Sequence, residues 1–429
     1  MARVFKKLCP NCGAPLPLER GAADVPCQYC GQTIHVEWTK QAPPPTGVPR
    51  TTLYVNPASG RAHMFVIAAA TFVPVLGGGV FAGLAAFRAR ARDVVALGLQ
   101  AGGVGEVTLP FTCAPNQSVE IVGKTFEGKG TVLQAGALCK ITIRDSKLKG
   151  DVVVAGETSV ELTIVNSTLE GATTAVKLDS NARVIVKGQS VVKGGEQAIE
   201  VGANAKLEVE DSRLEGVSAG VHAGPNLAVQ ARGGTITARD HALRASMNAK
   251  VNGRQLVLRG GRTAIEAEHN LGVEVSGSTF EGGEAAIRAK LNPKLKLSGG
   301  TKATAKENAI DAGSNLEIDA EDTTLDGGDV GARAESNAKL RLGTKSRLHG
   351  RKVALQAGLN LELTIRDATV ESEGAAVCAS YNAEITGKAG TIRGREALRF
   401  TRAPRSLELD GTTVVGARNL RASGCLTGK

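Results

Sequence analysis

Asparagine stands at positions 181, 204, 226, 248, 270, 292, 315, 337, 360 and 382, at intervals of 22 or 23 residues. Self-similarity at that period predicts a repeat array in which each turn of chain packs on its neighbours. One, three and five residues after each Asn come apolar or small side chains: Ala205, Leu207, Val209; Leu271, Val273, Val275; Leu361, Leu363, Ile365. Polar residues such as Lys206 and Glu208 lie between them. That is a period of two, a strand with one buried face.

Near ten residues after each Asn stands another inward candidate, as in Leu214, Ile236, Leu258, Phe280, Leu325, Val370 and Ile392. Pairs such as Ile199/Val201, Ile265/Ala267, Ile287/Ala289 and Ile310/Ala312 mark a third strand. Turns of Gly, Asn, Asp and Ser separate the three. Leucine-rich repeats share the period but need a denser Leu framework and a helical side. With aromatics at 3%, the interior is a thin one of Val, Ile, Leu and Ala. These features resemble the right-handed parallel β-helix, the pectin-lyase-like architecture, over about 310 residues and some 13 to 14 coils. The expected fold class is mainly β, a solenoid of coils of about 22 residues.

The outward positions check the register. In the third strand they run Arg244, Glu266, Arg288, Asp311, Arg333; four residues after the Asn they run Glu274, Lys296, Asp319, Arg341. Coils about 4.8 Å apart would make identical charges repel, so alternating signs indicate direct stacking. Asn tolerates the left-handed conformation, and its amide can donate to one coil and accept from the next. A purely local turn role is the alternative. Either way these asparagines are structural.

The N-terminus reads "CPNCGAPLPLERGAADVPCQYCG". Cys9, Cys12, Cys27 and Cys30 form two C-x2-C pairs, each followed by Gly, with the spacing of a closed tetrahedral Zn²⁺ site. This resembles the zinc-ribbon family over residues 7–38, and it implies a structural zinc ion and a protein-docking head. A Pro-rich linker follows, then residues 64–87 without a charge. A helix of that length reaches about 36 Å, enough to cross a membrane once. Gly79 and Gly83 form a G-x-x-x-G that would let two such helices meet as a homo-oligomer.

The expected organisation is a zinc ribbon at 1–39, a linker at 40–62, a transmembrane helix at 63–88, a juxtamembrane cap at 89–112 and the β-helix at 113–429. Helical spacing within 91–100 suits the cap, and the basic final residues suit a frayed last coil. Arg88, Arg90 and Arg92 after the span slightly favour a cytoplasmic C-terminal part over Arg50, Arg61 and His63 before it. Zinc thiolates favour a reducing compartment. The expectation is a single-pass protein of a bacterial inner membrane, with the ribbon cytoplasmic and the β-helix outside.

Net charge is +10, but residues 1–92 hold ten Lys or Arg against three Asp or Glu, and the long remainder is close to neutral. Nucleic acid is therefore not an expected partner. A polysaccharide or envelope ligand stays open, because pectin-lyase-like folds host polysaccharide lyases and hydrolases. Two carboxylate groups merit weighing for such chemistry: Glu208, Glu210 and Asp211, and Glu317, Asp319, Glu321 and Asp322. Both mix with Lys and Arg as solvated faces do, and the polygalacturonase motifs are not found. His222, His241, His269 and His349 fall at different coil positions and read as exposed polar residues. Cys378 occupies an outward column and reads as an exposed thiol, whereas Cys113 and Cys139 stand about one coil apart and could bridge. The expected function is a membrane-anchored, non-catalytic scaffold or binding protein without a catalytic residue. The alternatives are a carbohydrate-active enzyme and a self-assembling envelope or cytoskeletal element.

Overall fold

In the computed structural model, the described residues are 107–425 and four short strands nearer the N-terminus: Phe5–Leu8, Pro15–Leu18, Asp24–Pro26 and Thr33–His35. The chain divides into two compact units, Met1–Gln100 and Ala101–Lys429.

In the first unit the strands form two antiparallel hairpins, Phe5 opposite Leu18 and Asp24 opposite His35. Each hairpin is joined by six residues, 9–14 and 27–32, and each connection carries one of the C-x2-C-G motifs. The thiols of Cys9, Cys12, Cys27 and Cys30 lie outside the described residues. So do the expected span at 64–87 and the cap at 91–100. Among the described residues, no helix is long and apolar enough to cross a membrane.

The second unit is a parallel β-solenoid of about 14 coils. Each coil contributes three strands, for example Lys206–Glu210, Arg213–Gly216 and Ala219–Ala223. Each strand pairs in parallel with its counterpart one coil on: Leu207 with Val229, Leu214 with Ile236, Val221 with Leu243. The three faces are called first, second and third in that order. The inward residues expected from the period of two are buried, from Ala205 and Leu207 to Ile365 and Ile392. They form one continuous core. Its columns balance volume: Phe280 stacks between Leu258 and Ala303, a large side chain beside a small one.

Three corners bend each coil. At the first, preceding the first face, every asparagine of the series has a left-handed φ between 44 and 63°. Asn204 Nδ2 donates to Asn181 Oδ1 at 3.1 Å, and eight further bonds of 2.6–2.9 Å continue the chain to Asn382. The ladder is thus a bond between coils as well as a local turn. Nearer the start, Asn116, Leu138 and Ser159 occupy the same corner, with φ of 59 to 62°.

The second corner also turns through positive φ, but its occupants vary: Asp145, Asn166, Gln189, Asp211, Asp322 and Ala389 among them. The residue after it is often a buried hydroxyl that bridges coils. Ser167 Oγ accepts from Ser146 N at 3.1 Å, and Ser190 Oγ accepts from Ser167 N at 3.2 Å. Ser167 Oγ also donates to Val165 O at 2.7 Å. At the third corner the chain folds back so tightly that a Cβ on Gly194, Gly216 or Gly260 would come within 1.8 Å of a backbone carbonyl oxygen. That closeness accounts for the recurring glycine, although Ala238 and Ala305 take the same place in two coils.

Both ends of the solenoid are cross-linked. Cys113 joins Cys139 in the next coil, with Cα atoms 6.3 Å apart. Cys378 joins Cys425, with Cα atoms 5.5 Å apart. Two expectations are corrected here. Cys378 does stand in the outward column of the third face, between Gln356 and Arg399, but it is 1% exposed because the C-terminal tail covers it. The tail is accordingly held down as far as Cys425, the last described residue. Ala422 N donates to Phe400 O at 2.6 Å, and Gln356 Nε2 donates to Cys425 O at 3.2 Å.

Candidate binding groove

The register brings the sequence's charge columns together as expected. Arg244, Glu266, Arg288, Asp311 and Arg333 lie on successive coils of the third face. Glu274, Lys296, Asp319 and Arg341 do the same on the first. A further alternation stands on the second face: Glu127, Lys149, Glu170, Lys193 and Glu215 stack in turn. Arg259 and Glu281, farther along that column, pair at 2.9 Å.

The third face holds the densest polar cluster. Glu284 accepts from Arg262 Nε and from Arg288 Nη1, each at 2.8 Å, and Arg288 also reaches Asp311 at 3.1 Å. Hydrogen bonds from Arg262 and then Arg288 hold the Glu284 carboxyl down to about 2. One coil back, His241 Nδ1 lies 2.8 Å from both Thr263 Oγ1 and Glu266 Oε2. The hydrogen bond to His241 lowers Glu266 below the ordinary carboxylate value. Gln197 Nε2 meets His222 Nδ1 at 3.1 Å, and burial, followed by the Arg244 charge, pushes His222 down. The histidines are therefore not the exposed residues expected: His241 is buried, and His222, His269 and His349 are half-buried. His349 Nδ1 lies 2.6 Å from Asp326. The sequence offered no signal for this, because His241 becomes covered through neighbours in other coils. Each of these groups serves a neighbour on an adjacent coil, the arrangement of a structural network.

The carboxylates weighed for catalysis separate into different roles. Asp211 and Asp322 are second-corner residues with φ of 45 and 49°. Glu208 pairs with Arg183 at 2.8 Å, and Glu317 with Lys294 at 3.1 Å. Glu210, Asp319 and Glu321 remain, and all three line a groove of about 1050 Å³. The groove runs along the first face from the coil of Lys187 to the coil of Glu321. That is seven coils, about 29 Å at about 4.8 Å per coil.

Two features mark the centre of the groove. The inward column reads Val209, Ala231, Gly253, Val275, and at Ala231 and Gly253 the floor is half-exposed instead of buried. Beside these small residues stand Arg232 and Arg254, exposed and in register on adjacent coils. Neither guanidinium has an ion-pair partner among the described residues. Two like charges at about 4.8 Å repel by about 1 kcal/mol in water, which the alternating columns avoid; Arg366 and Lys388 form a second basic pair farther along the same face. The neighbouring Asn252 has a buried amide oxygen without a hydrogen-bond partner. Reading the column six residues after each Asn would have exposed the Arg232–Arg254 pair, but only once register is known. A second hollow of about 640 Å³ follows the Asn ladder near Asn337 and Asn360, lined by the paired Lys339 and Glu362.

No known protein family, curated protein or solved structure matches the chain.

Proposed function

We propose that this chain is a membrane-anchored, non-catalytic β-helix that serves as a rigid scaffold and binding rod, with a structural zinc ribbon at its N-terminus for protein docking. The rod itself would wind right-handed, the hand favoured for parallel crossovers. One observation carries the reading: many outward polar side chains of the solenoid are committed to neighbours on other coils. The nine-bond Asn ladder, the hydroxyl bridges and the ion pairs such as Arg183–Glu208 and Lys339–Glu362 use groups that catalysis would need free. Such a surface favours stiffness over chemistry.

The two hairpins support the ribbon. They have equal six-residue connections with the same C-x2-C-G motif, so Cys9, Cys12, Cys27 and Cys30 are the donor set of a closed thiolate site. When bound there, Zn²⁺ would supply folding stability to a unit too small for a core of its own. The apolar residues 64–87 would anchor the chain in a bacterial inner membrane. Disulfides at both ends of the solenoid favour an oxidising compartment for the rod, and thiolate zinc favours a reducing one for the head. That combination supports a cytoplasmic N-terminus.

The test incubates the full-length chain with oligogalacturonate, alginate and chitin oligomers and measures new reducing ends and new unsaturated products. The expected outcome is no cleavage. Cleavage by the chain that disappears in Glu210→Gln or Asp319→Asn would overturn the reading. Zinc analysis of the same preparation should give about one ion per chain, lost in Cys9→Ser/Cys12→Ser.

A further inference from the structure

From the groove on the first face we infer a binding site for an extended polypeptide whose alternate residues carry basic and acidic side chains. The inference rests on the non-catalytic reading and adds the class of ligand.

Charge along the groove is patterned by coil. Glu210, Arg232 and Arg254 share one outward column. Glu274 and Lys296 continue the series on the next two coils from the neighbouring outward column, two residues earlier in their strands, and Glu321 lines the coil after that. Measured along the solenoid axis, the midpoint of the arginine pair lies one and a half coils, about 7 Å, from Glu210 on one side and from Glu274 on the other. Glu274 stands a further two residues, about 7 Å, to one side. In an extended chain, residues i and i+2 point the same way and are about 6.6 Å apart. A Lys-x-Glu-x-Lys segment running along the solenoid axis would therefore set its acid between Arg232 and Arg254 and its two lysines at Glu210 and Glu274. A further acid two residues on would come near Lys296, about 12 Å from the arginine midpoint. Along the axis the charge series and the strand repeat coincide from Glu210 to Lys296.

Two observations favour a peptide over an acidic glycan. A polyanion seated on the arginines would also run over Glu210, Glu274 and Glu321, where it meets like charge. The groove residues include no aromatic side chain to stack against a sugar ring. The half-exposed floor at Ala231 and Gly253 gives the central acid room to reach both guanidiniums.

The test uses the full-length chain and a fluorescein-labelled peptide, Lys-Ser-Glu-Ser-Lys-Ser-Glu-Ser-Lys, read by fluorescence anisotropy. Its isomer Lys-Lys-Lys-Ser-Ser-Ser-Ser-Glu-Glu has the same composition without the alternation. The alternating peptide should bind at least about tenfold more tightly than the isomer and weaken in about 0.5 M NaCl. Arg232→Gln/Arg254→Gln should lose about tenfold in affinity. Arg366→Gln/Lys388→Gln changes an adjacent basic pair outside the groove and should bind as the parent does. Circular dichroism and the unfolding midpoint of each variant separate loss of the site from loss of the fold. Equal binding of the two peptides, no binding, or indifference to the arginine substitutions would overturn the inference. Oligogalacturonate binding through the same arginines, in place of the peptide, would also overturn it and assign the groove to a glycan. Cleavage of that oligomer is the separate outcome that removes the non-catalytic reading.

Discussion

Asn270 donates its side-chain amide to Asn248 Oδ1 at 2.8 Å and accepts from Asn292 Nδ2 at the same distance, while its own φ is 54°. Two contributions can be separated by substitution. Asn270→Ala removes both bonds and places a Cβ residue in the left-handed region, at a combined cost of about 2–4 kcal/mol. Asn270→Gly removes the bonds but not the conformational ease, and should cost about 1–2 kcal/mol less than Ala. Urea midpoints for the three chains check this. Equal losses for Ala and Gly would mean that backbone conformation contributes nothing at this corner.

Leu138 and Ser159 interrupt the same ladder between Asn116 and Asn181. Leu138 is 53% exposed there with a φ of 59°, an unfavourable place for a branched apolar side chain. Leu138→Asn should stabilise by about 1 kcal/mol through conformation alone. Leu138→Asn together with Ser159→Asn would complete a continuous amide ladder and should gain more than the sum of the singles. Thermal midpoints of the single and double variants measure the coupling. Strict additivity would show that the new amides do not bond across coils.

The visibility of these corners in the sequence differed for physical reasons. At the first corner one residue type meets two demands at once, positive φ and a bridge to the next coil, so Asn repeats and the period can be read. At the second corner the demands fall on two residues. Asp145, Gln189 and Ala389 only have to turn, while Ser146 and Ser190 bridge. With the work divided, many residue types are tolerated and the repeat blurs. Inward residues such as Leu214 and Ile265 were legible because strand period fixes them locally. The burial of His241 and Cys378 was not, because it depends on which residues neighbouring coils and the returning tail lay over them. The groove was nearer to hand: Arg232 and Arg254 each stand six residues after an Asn, so the register that stacks Glu274 on Lys296 also stacks them.

Stability should fall on acidification in two stages. His222 has a folded value below its ordinary 6.5, chiefly through burial, so the unfolded chain takes up the proton more readily. Its contribution is present above about 6.5 and declines below that. Glu284 lies at about 2 in the folded chain against an ordinary 4.5. Its contribution is full above 4.5 and is lost as pH falls toward 2. Because Glu284 is about one-third exposed, screening reduces the effect to the order of 1 kcal/mol. Denaturant midpoints at about pH 7.5, 5.5 and 3.5 follow both stages. His222→Gln should flatten the first interval, and Glu284→Gln the second, with a lower starting stability at neutral pH. Unchanged slopes in both variants would assign acid sensitivity to other groups.

The two disulfides close chain segments of different length, 26 and 47 residues. On the chain-entropy account the longer one contributes about 4 kcal/mol and the shorter about 3.5 kcal/mol. Their structural consequences differ more than their energies. Cys113 and Cys139 join neighbouring coils that are already paired in a ladder, Cys113 opposite Ala135. Loss of that bond should shift stability and leave the coils in register. Cys425 lies on a tail held to the third face by the bond to Cys378 and by contacts with Gln356 and Phe400. Cys425→Ser should therefore free the tail, uncover Cys378 and open Arg421 to trypsin while the solenoid stays folded. Limited proteolysis with mass analysis, run beside thiol labelling of Cys378, reads both effects. Trypsin resistance at Arg421 in the Cys425→Ser chain would show that the tail is held by its packing on Phe400 and not by the cross-link.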